Sequence, residues 1–435
     1  MINTAEVYMW GTRIGIIHLP DDRPYISFEY DSSFAKSGIE ISPVSMMLSN
    51  RIYEFPGLAG TSFHGAPGLI ADSLPDRFGN AVIEKWLASQ GKSESDFNII
   101  DRLCYTGTRG MGALEYVPAC GPSAGEAEII DVADMISFAS DILSNRKDVR
   151  FEKTDPKTFS QLLQLGTSAG GARAKAVIAW NGKTNEIRSG QVSQGDGFDY
   201  YLIKFDGVTQ NGDHALEDAP EYTLVEYAYY KMALEAGINM TESLIFSEHD
   251  RNHFLTKRFD RTNGNKLHMQ TLGAIAHIDY NIPDLCSYEQ AASIMRRMSL
   301  PASDIEQFYR RMVFNVLAVN HDDHVKNTSF LMDKSGIWHL SPAYDMTFSY
   351  NAGNKWLSAH QMTVNNKAIG ITQSDLMQSG SNMDISMAKC KRIISDVEEA
   401  VGHWNKIAEN CGIRQKTTEA ISHVIDEIGA TKDEG

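Results

Sequence analysis

A chain of 435 residues is too long for one small core and implies two or three domains. It is 42% apolar and 22% charged, without low-complexity tracts, as an ordinary globular protein is. A net charge of −16 argues against a broad basic face for a phosphate backbone, so any nucleic-acid contact would need a local patch or a partner. The five cysteines, Cys104, Cys120, Cys286, Cys390 and Cys411, are scattered and never form a CxxC pair, which points to a reducing compartment and no structural zinc. The first residues show no basic region followed by an apolar stretch, and no apolar run approaches membrane-spanning length. A cytoplasmic chain that meets no membrane is expected.

In chain order, residues 1–120 mix short β-type runs with turns, then a Gly- and Pro-rich stretch from Phe55 to Gly68. After Pro75, the residues Phe78, Val82, Ile83 and Trp86 recur at helical spacing. "CGPSAGEAE", from Cys120 to Glu128, reads as a linker. Within a second domain, 121–258, the pattern turns to antiparallel β from about residue 150. "AKAVIAW" runs into Asn181-Gly182, the dipeptide of a tight hairpin turn. "YYLIKFD" is a strand with Tyr201, Ile203 and Phe205 on one face and Leu202 and Lys204 on the other. A helix follows with Val225, Ala228, Tyr229, Met232 and Ala236 at helical intervals, and then the strand "HFLTKRFD". Residues 259–435 are mainly helical. Ser303 and Glu306 form a capping-box pattern ahead of Ile305, Phe308, Met312, Val316 and Val319. "TSFLMDKSGIWHLSP" reads as a hairpin, and residues 385–428 are helical again. Segregated elements of this kind define an α+β class.

Phosphoryl transfer from ATP needs few protein parts: backbone and lysine around the phosphates, oxygen ligands for Mg²⁺, and a base at the attacking hydroxyl. The chain offers a candidate for each. Gly166, Gly170 and Gly171 in "LGTSAGGARAKAVIAW" let bare backbone N–H groups approach an anion. The segment matches no standard phosphate-loop pattern, and alone it reads equally as an ordinary turn. Lys204 falls on a half-buried face, where an ammonium needs a counter-charge such as Glu226 or a phosphate. "VNHDDHVKNTSF" contains D-x-H-x-x-N as Asp322, His324 and Asn327. Asp322 suits a base, and Asn327 offers an amide oxygen for a hard cation. His324 would orient the loop or stabilise transferred charge, and Lys326 would neutralise phosphate. The bland alternative is a loop whose Asp and Asn satisfy local backbone. Asp345, 23 residues beyond Asp322 across the hairpin, is placed to share a cation with Asn327 or to cap a helix.

These pieces resemble the HipA family of bacterial serine/threonine kinases, the toxins of toxin–antitoxin pairs. "LPDRFGN", "GTRGMGALEYVP", "SAGGARAKA", "YLIKFD", "KRFDR", "NHDDHVKN" and "LSPAYD" run in family order over almost the whole length. The D-x-H-x-x-N element is also similar to that of phosphoinositide kinases. The resemblance implies a two-lobed protein-kinase-like fold, with a β-rich N-terminal part and a helical C-terminal lobe. It makes Asp322 the catalytic base, gives Mg²⁺ to Asn327 and Asp345, and puts Lys204 on the ATP phosphates. It places Lys257, Arg258 and Phe259 where an inter-lobe hinge meets adenine, and Gly170, Gly171, Ala172, Arg173 and Lys175 in the nucleotide loop. Ser168 aligns with the serine that members autophosphorylate, with Thr167 beside it. The loop departs from the family's usual Gln-Glu-Lys by reading Arg173-Ala174-Lys175, and Asp323 stands where glycine is more usual. Also implied are a protein substrate from translation, aminoacyl-tRNA synthetases included, and a small basic HipB-like antitoxin that carries the DNA contacts.

Two other readings compete. A metal-dependent phosphohydrolase would use His321-Asp322 as an HD pair and needs further ligands, for which His277, His339 and His360 are the candidates. An inactive kinase-like binding module would bind Mg-ATP without phosphotransfer.

Overall fold

Met9 and Thr12 face each other across a two-residue connection in which Trp10 and Gly11 take φ of 52° and 78°. Two successive left-handed residues are what a tight hairpin requires to follow strand twist. The computed structural model describes residues 1–121, 134–136, 175–190, 197–206, 221–248, 250–262 and 265–429. In it this hairpin lies within a five-stranded antiparallel sheet, ordered Ile52–Glu54, Ser27–Tyr30, Thr12–His18, Thr4–Met9 and Leu114–Val117. Ala5, Val7, Met9, Ile17, Phe28 and Tyr30 are buried, the alternation of a sheet with one covered face. The helix expected after Pro75 spans Arg77–Ser89, where the Asp76 carboxylate accepts from Gly79 N at 2.7 Å as N-cap.

The chain divides into two compact units. The first contains Met1–Ile39, Leu48–Thr223 and Glu242–Met269; the second contains Glu40–Met47, Leu224–Thr241 and Gln270–Gly435. Both large sheets fall in the first. The second sheet is ordered Glu186–Ser189, Lys175–Asn181, Asp199–Lys204, Arg251–Lys257 and Ser243–Glu248, antiparallel throughout. Its faces sort as the alternation predicts. Ala176, Ile178, Tyr201, Ile203 and Leu255 pack with Phe205 and with Phe78 and Val82 of the Arg77–Ser89 helix, leaving Lys175, Leu202 and Lys204 on the opposite face. The Asn181-Gly182 hairpin forms, but not as a two-residue turn. Asn181 pairs with Glu186, and the Asn181 side chain accepts from Lys183 N and Thr184 N, so the connection widens to four residues.

In the second unit the helix Ala302–Leu317 packs along Met387–Gly402. Its start corrects the sequence reading. Pro301 is the N-cap and Ser303 already lies inside the first turn, so the Ser303–Glu306 pair forms no capping box. Proline pre-sets the helical entry, and Glu306 is bound instead by Lys389. The expected hairpin pairs Ser329–Met332 with Trp338–Leu340, in the register Phe330↔Leu340 and Met332↔Trp338. The C-terminal region supplies Met387–Gly402, Trp404–Asn410 and Gln415–Ile428. A further helix, Gln373–Asn382, precedes them and begins at a Thr372–Asp375 capping box.

One ionic knot in the first unit explains two of the sequence motifs. Asp260 is fully buried and receives Arg258 in a two-point contact, Nε to Oδ1 at 2.9 Å and Nη2 to Oδ2 at 2.7 Å. Arg261 Nη1 and Gly112 N also donate to Oδ2, both at 2.7 Å. "KRFDR" thereby holds "TRGMG". Gly112, at φ 73°, takes a left-handed backbone that favours glycine, and a Cβ there would press on the Met269 backbone N at 3.0 Å. Burial alone would raise the Asp260 pKa, but the two guanidinium charges outweigh it and hold it well below the usual carboxylate range. Its contribution to stability is therefore present above the ordinary carboxylate pKa of about 4 and is lost only as pH falls through the lowered value. Asp260→Ala strands a buried and a half-buried cation and is expected to lower the unfolding free energy by about 3–5 kcal/mol, read from denaturant midpoints at neutral pH.

Candidate active site

The Ala302–Leu317 helix delivers the chain into the loop through a strained joint. Val319, fully buried and β-branched, has φ 53°, a region such residues seldom occupy. Beyond it, Asn320–Asn327 runs irregularly, with alternating outlook. His321 and Asp323 are buried, whereas the Asp322 side chain is 50% exposed. Asn327 donates from Nδ2 to the Asp322 carbonyl at 2.7 Å. This is the local backbone satisfaction of the bland reading, and it also fixes the amide so that Oδ1 remains as a ligand atom. Asn327 and Asp345 line one cleft, together with Tyr288, Arg311, Asn315, Asn320, Asp323 and others. The hairpin therefore brings the two predicted metal ligands together. No helix starts at Asp345, which instead sits at φ 53°, a strained backbone of the kind found at functional sites. An amide oxygen and a carboxylate in one cleft suit a hard cation such as Mg²⁺.

His324 and Lys326 share an aromatic neighbour absent from the sequence reading. The Tyr280 ring lies 5.5 Å from the His324 ring and 4.9 Å from Lys326 Nζ. His324 Nε2 stands 3.7 Å from Asp322 Oδ1, beyond hydrogen-bond length. The Lys326 carbonyl accepts from Tyr344 OH at 2.7 Å.

A polar network behind the loop was also missed. Asp323 Oδ2 accepts from Tyr288 OH at 2.7 Å and from His360 Nδ1 at 2.9 Å, and Oδ1 accepts from Gln361 N at 2.7 Å. Asn315 donates to Tyr288 OH, and Asn320 donates to Asn315, each at 2.9 Å. The signal was the second aspartate of "HDDH", read only as a departure from glycine. Arg311, buried on the helix, donates to the Ser341 carbonyl at 2.6 Å and so steadies the strand leading to Asp345. Burial pushes its pKa down to about 10.

His321, the first member of the candidate HD pair, is buried behind the loop. Its Nδ1–H donates to the Leu357 carbonyl at 3.1 Å, and its ring packs 4.2 Å from His360. Burial and the neighbouring His360 push its pKa down to about 4. Among the described residues, no group of three or more His, Cys, Asp or Glu side chains is placed to hold a metal. His339 pairs with Asp304. His253, which opens the expected strand "HFLTKRFD", is a buried strand residue whose Nδ1 accepts from Asp206 N at 3.0 Å.

In the first unit, Lys175 and Lys204 are direct cross-strand partners, both buried on the face opposite the core. Like charges so placed oppose folding unless an anion lies near. Lys204 Nζ also lies 5.9 Å from the Phe254 ring centroid. Lys257 pairs with Asp199 at 2.9 Å. Arg258 has its guanidinium committed to Asp260, and the N–H groups of Lys257 and Arg258 donate to Glu242 O and Tyr200 O. Phe259 is half-buried. Gly166, Thr167, Ser168, Gly170, Gly171, Ala172 and Arg173 lie outside the described residues.

Two family domains account for most of the chain. Residues 5–117 match the HipA N-terminal domain and residues 167–431 the HipA-like C-terminal domain. The chain belongs to the HipA family. A putative kinase of Haemophilus influenzae is 30% identical over 32% of this chain and 46% of its own length. A putative kinase of Sinorhizobium fredii is 26% identical over 35% of this chain and 37% of its own length. The chain thus matches less than half the length of either. The HipA chain solved with HipB and operator DNA from Shewanella oneidensis is 16% identical, with a TM-score of 0.67, covering 97% of this chain and 95% of that one. The likeness carries the fold: a sheet-rich first part and a helical second part, as in a kinase-like α+β architecture. Among the described residues, no helix is long and apolar enough to cross a membrane.

The donor set yields an expected outcome. Asn327→Ala and Asp345→Ala should each weaken Mg-dependent ATP binding at least tenfold in calorimetry while leaving the thermal midpoint of the free protein nearly unchanged. Lys204→Met should shrink the stabilisation that Mg-ATP confers, which for a wild-type site at 100 times its Kd is about 2.7 kcal/mol.

Proposed function

We propose that the chain is an ATP- and Mg²⁺-dependent serine/threonine protein kinase, a HipA-like toxin that acts on a protein of translation. The observation that carries this reading is the loop itself. It exposes the Asp322 carboxylate while the Asn327 amide, fixed by its bond to the Asp322 carbonyl, shares a cleft with Asp345. Asp322 takes the proton of the attacking hydroxyl as its oxygen bonds to the γ-phosphorus and the bond to ADP breaks. Asn327 Oδ1 and the Asp345 carboxylate would hold the metal, which when bound neutralises phosphate charge. Lys326, seated on Tyr280, adds a cation to the same unit. In the first unit Lys175 and Lys204 give the phosphates a doubly cationic sheet face, with Gly170, Gly171, Ala172 and Arg173 as the glycine-rich loop. Lys257, Arg258 and Phe259 would meet adenine, chiefly through backbone, since the Arg258 side chain is committed to Asp260. Ser168 is the proposed autophosphorylation site. A phosphate there, about −1.5 to −2 charges, would repel the ATP tail and limit activity.

The partner reading follows from charge together with the Shewanella assembly of HipA, HipB and operator DNA. A chain of net charge −16 suits a small basic antitoxin, which would carry the DNA contacts. At physiological salt the isolated chain is expected to give no sequence-specific retardation of its operator, and adding the antitoxin should restore it. Tight operator binding by the chain alone would contradict this.

Asp322→Asn is expected to fold normally, to bind Mg-ATP, and to lose roughly 10²–10⁴-fold in phosphoryl transfer, measured with γ-labelled ATP. Wild-type turnover in that variant would remove Asp322 as the base.

A further inference from the structure

From Met346 to Thr372 the chain forms no helix or strand. Connections beyond about 12–15 residues without secondary structure are uncommon in compact domains, and usually functional when ordered. This one is tied down. His360, Gln361, Met362 and Val364 are buried. His321 N donates to Ser349 O at 2.9 Å, and Ser349 N donates to Val319 O at 3.2 Å. Farther along, Tyr288 N donates to Thr363 O at 3.0 Å, and Thr363 N to Cys286 O at 3.2 Å. Further ties run from Asp284 N to Gln361 O at 3.1 Å and from Asn365 N to Glu289 Oε1 at 2.9 Å, and others come from two side chains flanking the proposed base, His321 to Leu357 and Asp323 to His360 and Gln361. His321 and Asp323 point inward to this segment while Asp322 points outward, so the stretch that secures the segment also aims the base.

We propose that Asp323 is a positioning residue, a carboxylate clip that seats residues 346–371 on the catalytic loop and so fixes Asp322 against the acceptor hydroxyl. The inference rests on the kinase reading for its catalytic consequence, though the clip itself does not. Asp323 is 4% exposed and its two oxygens meet three donors: a phenol, an imidazole and a backbone N–H. A charge-assisted set of this kind is stronger than neutral bonds, and a glycine at 323 could supply none of it. The segment is seated by a built-in carboxylate, so its order requires no added phosphate.

The test uses the full-length chain as wild type, Asp323→Ala, Asp323→Asn and His360→Phe. Three quantities are read: Mg-ATP affinity by calorimetry, label transfer from γ-labelled ATP into bacterial lysate proteins, and amide hydrogen exchange across 346–371. Asp323→Ala is expected to bind Mg-ATP within about threefold of wild type. Its peptides across 346–371 should exchange faster, and label transfer should fall roughly 10²-fold, as for a base displaced by about 1 Å. Asp323→Asn keeps an acceptor for Gln361 N–H and should recover part of both protection and transfer, which a residue that merely stabilises the fold would not separate from ATP affinity. Unchanged exchange and transfer in Asp323→Ala overturn the clip. If Asp323→Ala does not fold, His360→Phe, which keeps a ring but removes one donor, must show the same split, and wild-type behaviour there overturns it equally. A wild type that neither binds Mg-ATP nor transfers label rejects the kinase reading instead, and the exchange data then judge the clip alone.

Discussion

A carboxylate taken out of water must be surrounded by donors, and this requirement organises both units. In the first, Asp260 collects Arg258, Arg261 and the Gly112 amide, and so locks a turn beyond one sheet to a loop beyond the other. In the second, Asp323 collects Tyr288, His360 and the Gln361 amide, and so locks three stretches far apart in sequence. Each removes a loop's freedom with a few directional bonds. The pair Lys175 and Lys204 is the cationic counterpart, two ammonium groups buried as cross-strand neighbours on one sheet face, where negative charge must lie near.

What the sequence disclosed tracks how local the cause is. The split of Tyr201, Ile203 and Phe205 from Leu202 and Lys204 follows from strand periodicity, and the sheet obeys it. The loop hairpin follows from two short β runs around Lys334-Ser335-Gly336, and its register delivers Asp345 to Asn327 as expected. The capping box at Ser303 failed because a neighbouring proline fixed the helix start first, a competition between two local signals.

Long-range roles were not legible. Asp323 sits beside Asp322 in the sequence, yet its partners come from positions 35 to 38 residues away, and no spacing rule anticipates them. Tyr280, which no sequence motif singles out, is the seat of His324 and Lys326. Arg258 looked like a hinge side chain and is a buried structural cation. In each case the sequence displayed the chemistry of the group but not its neighbour, and the neighbour determined what the group does.

The hairpin between Asn327 and Asp345 acts as a closed detour. Its strands are registered from Phe330↔Leu340 to Met332↔Trp338, so the two ends meet regardless of how far the tip extends. Residues added at the tip, around Asp333 to Gly336, lengthen the excursion without moving either ligand, whereas a single residue added within a strand shifts the pairing and turns its side chains to the other face. The number of residues separating the two ligands is therefore free to drift among relatives. A search that fixes this interval would pass over chains with the same centre, and one that asks for a register-matched hairpin of any length between the asparagine and the aspartate would find them.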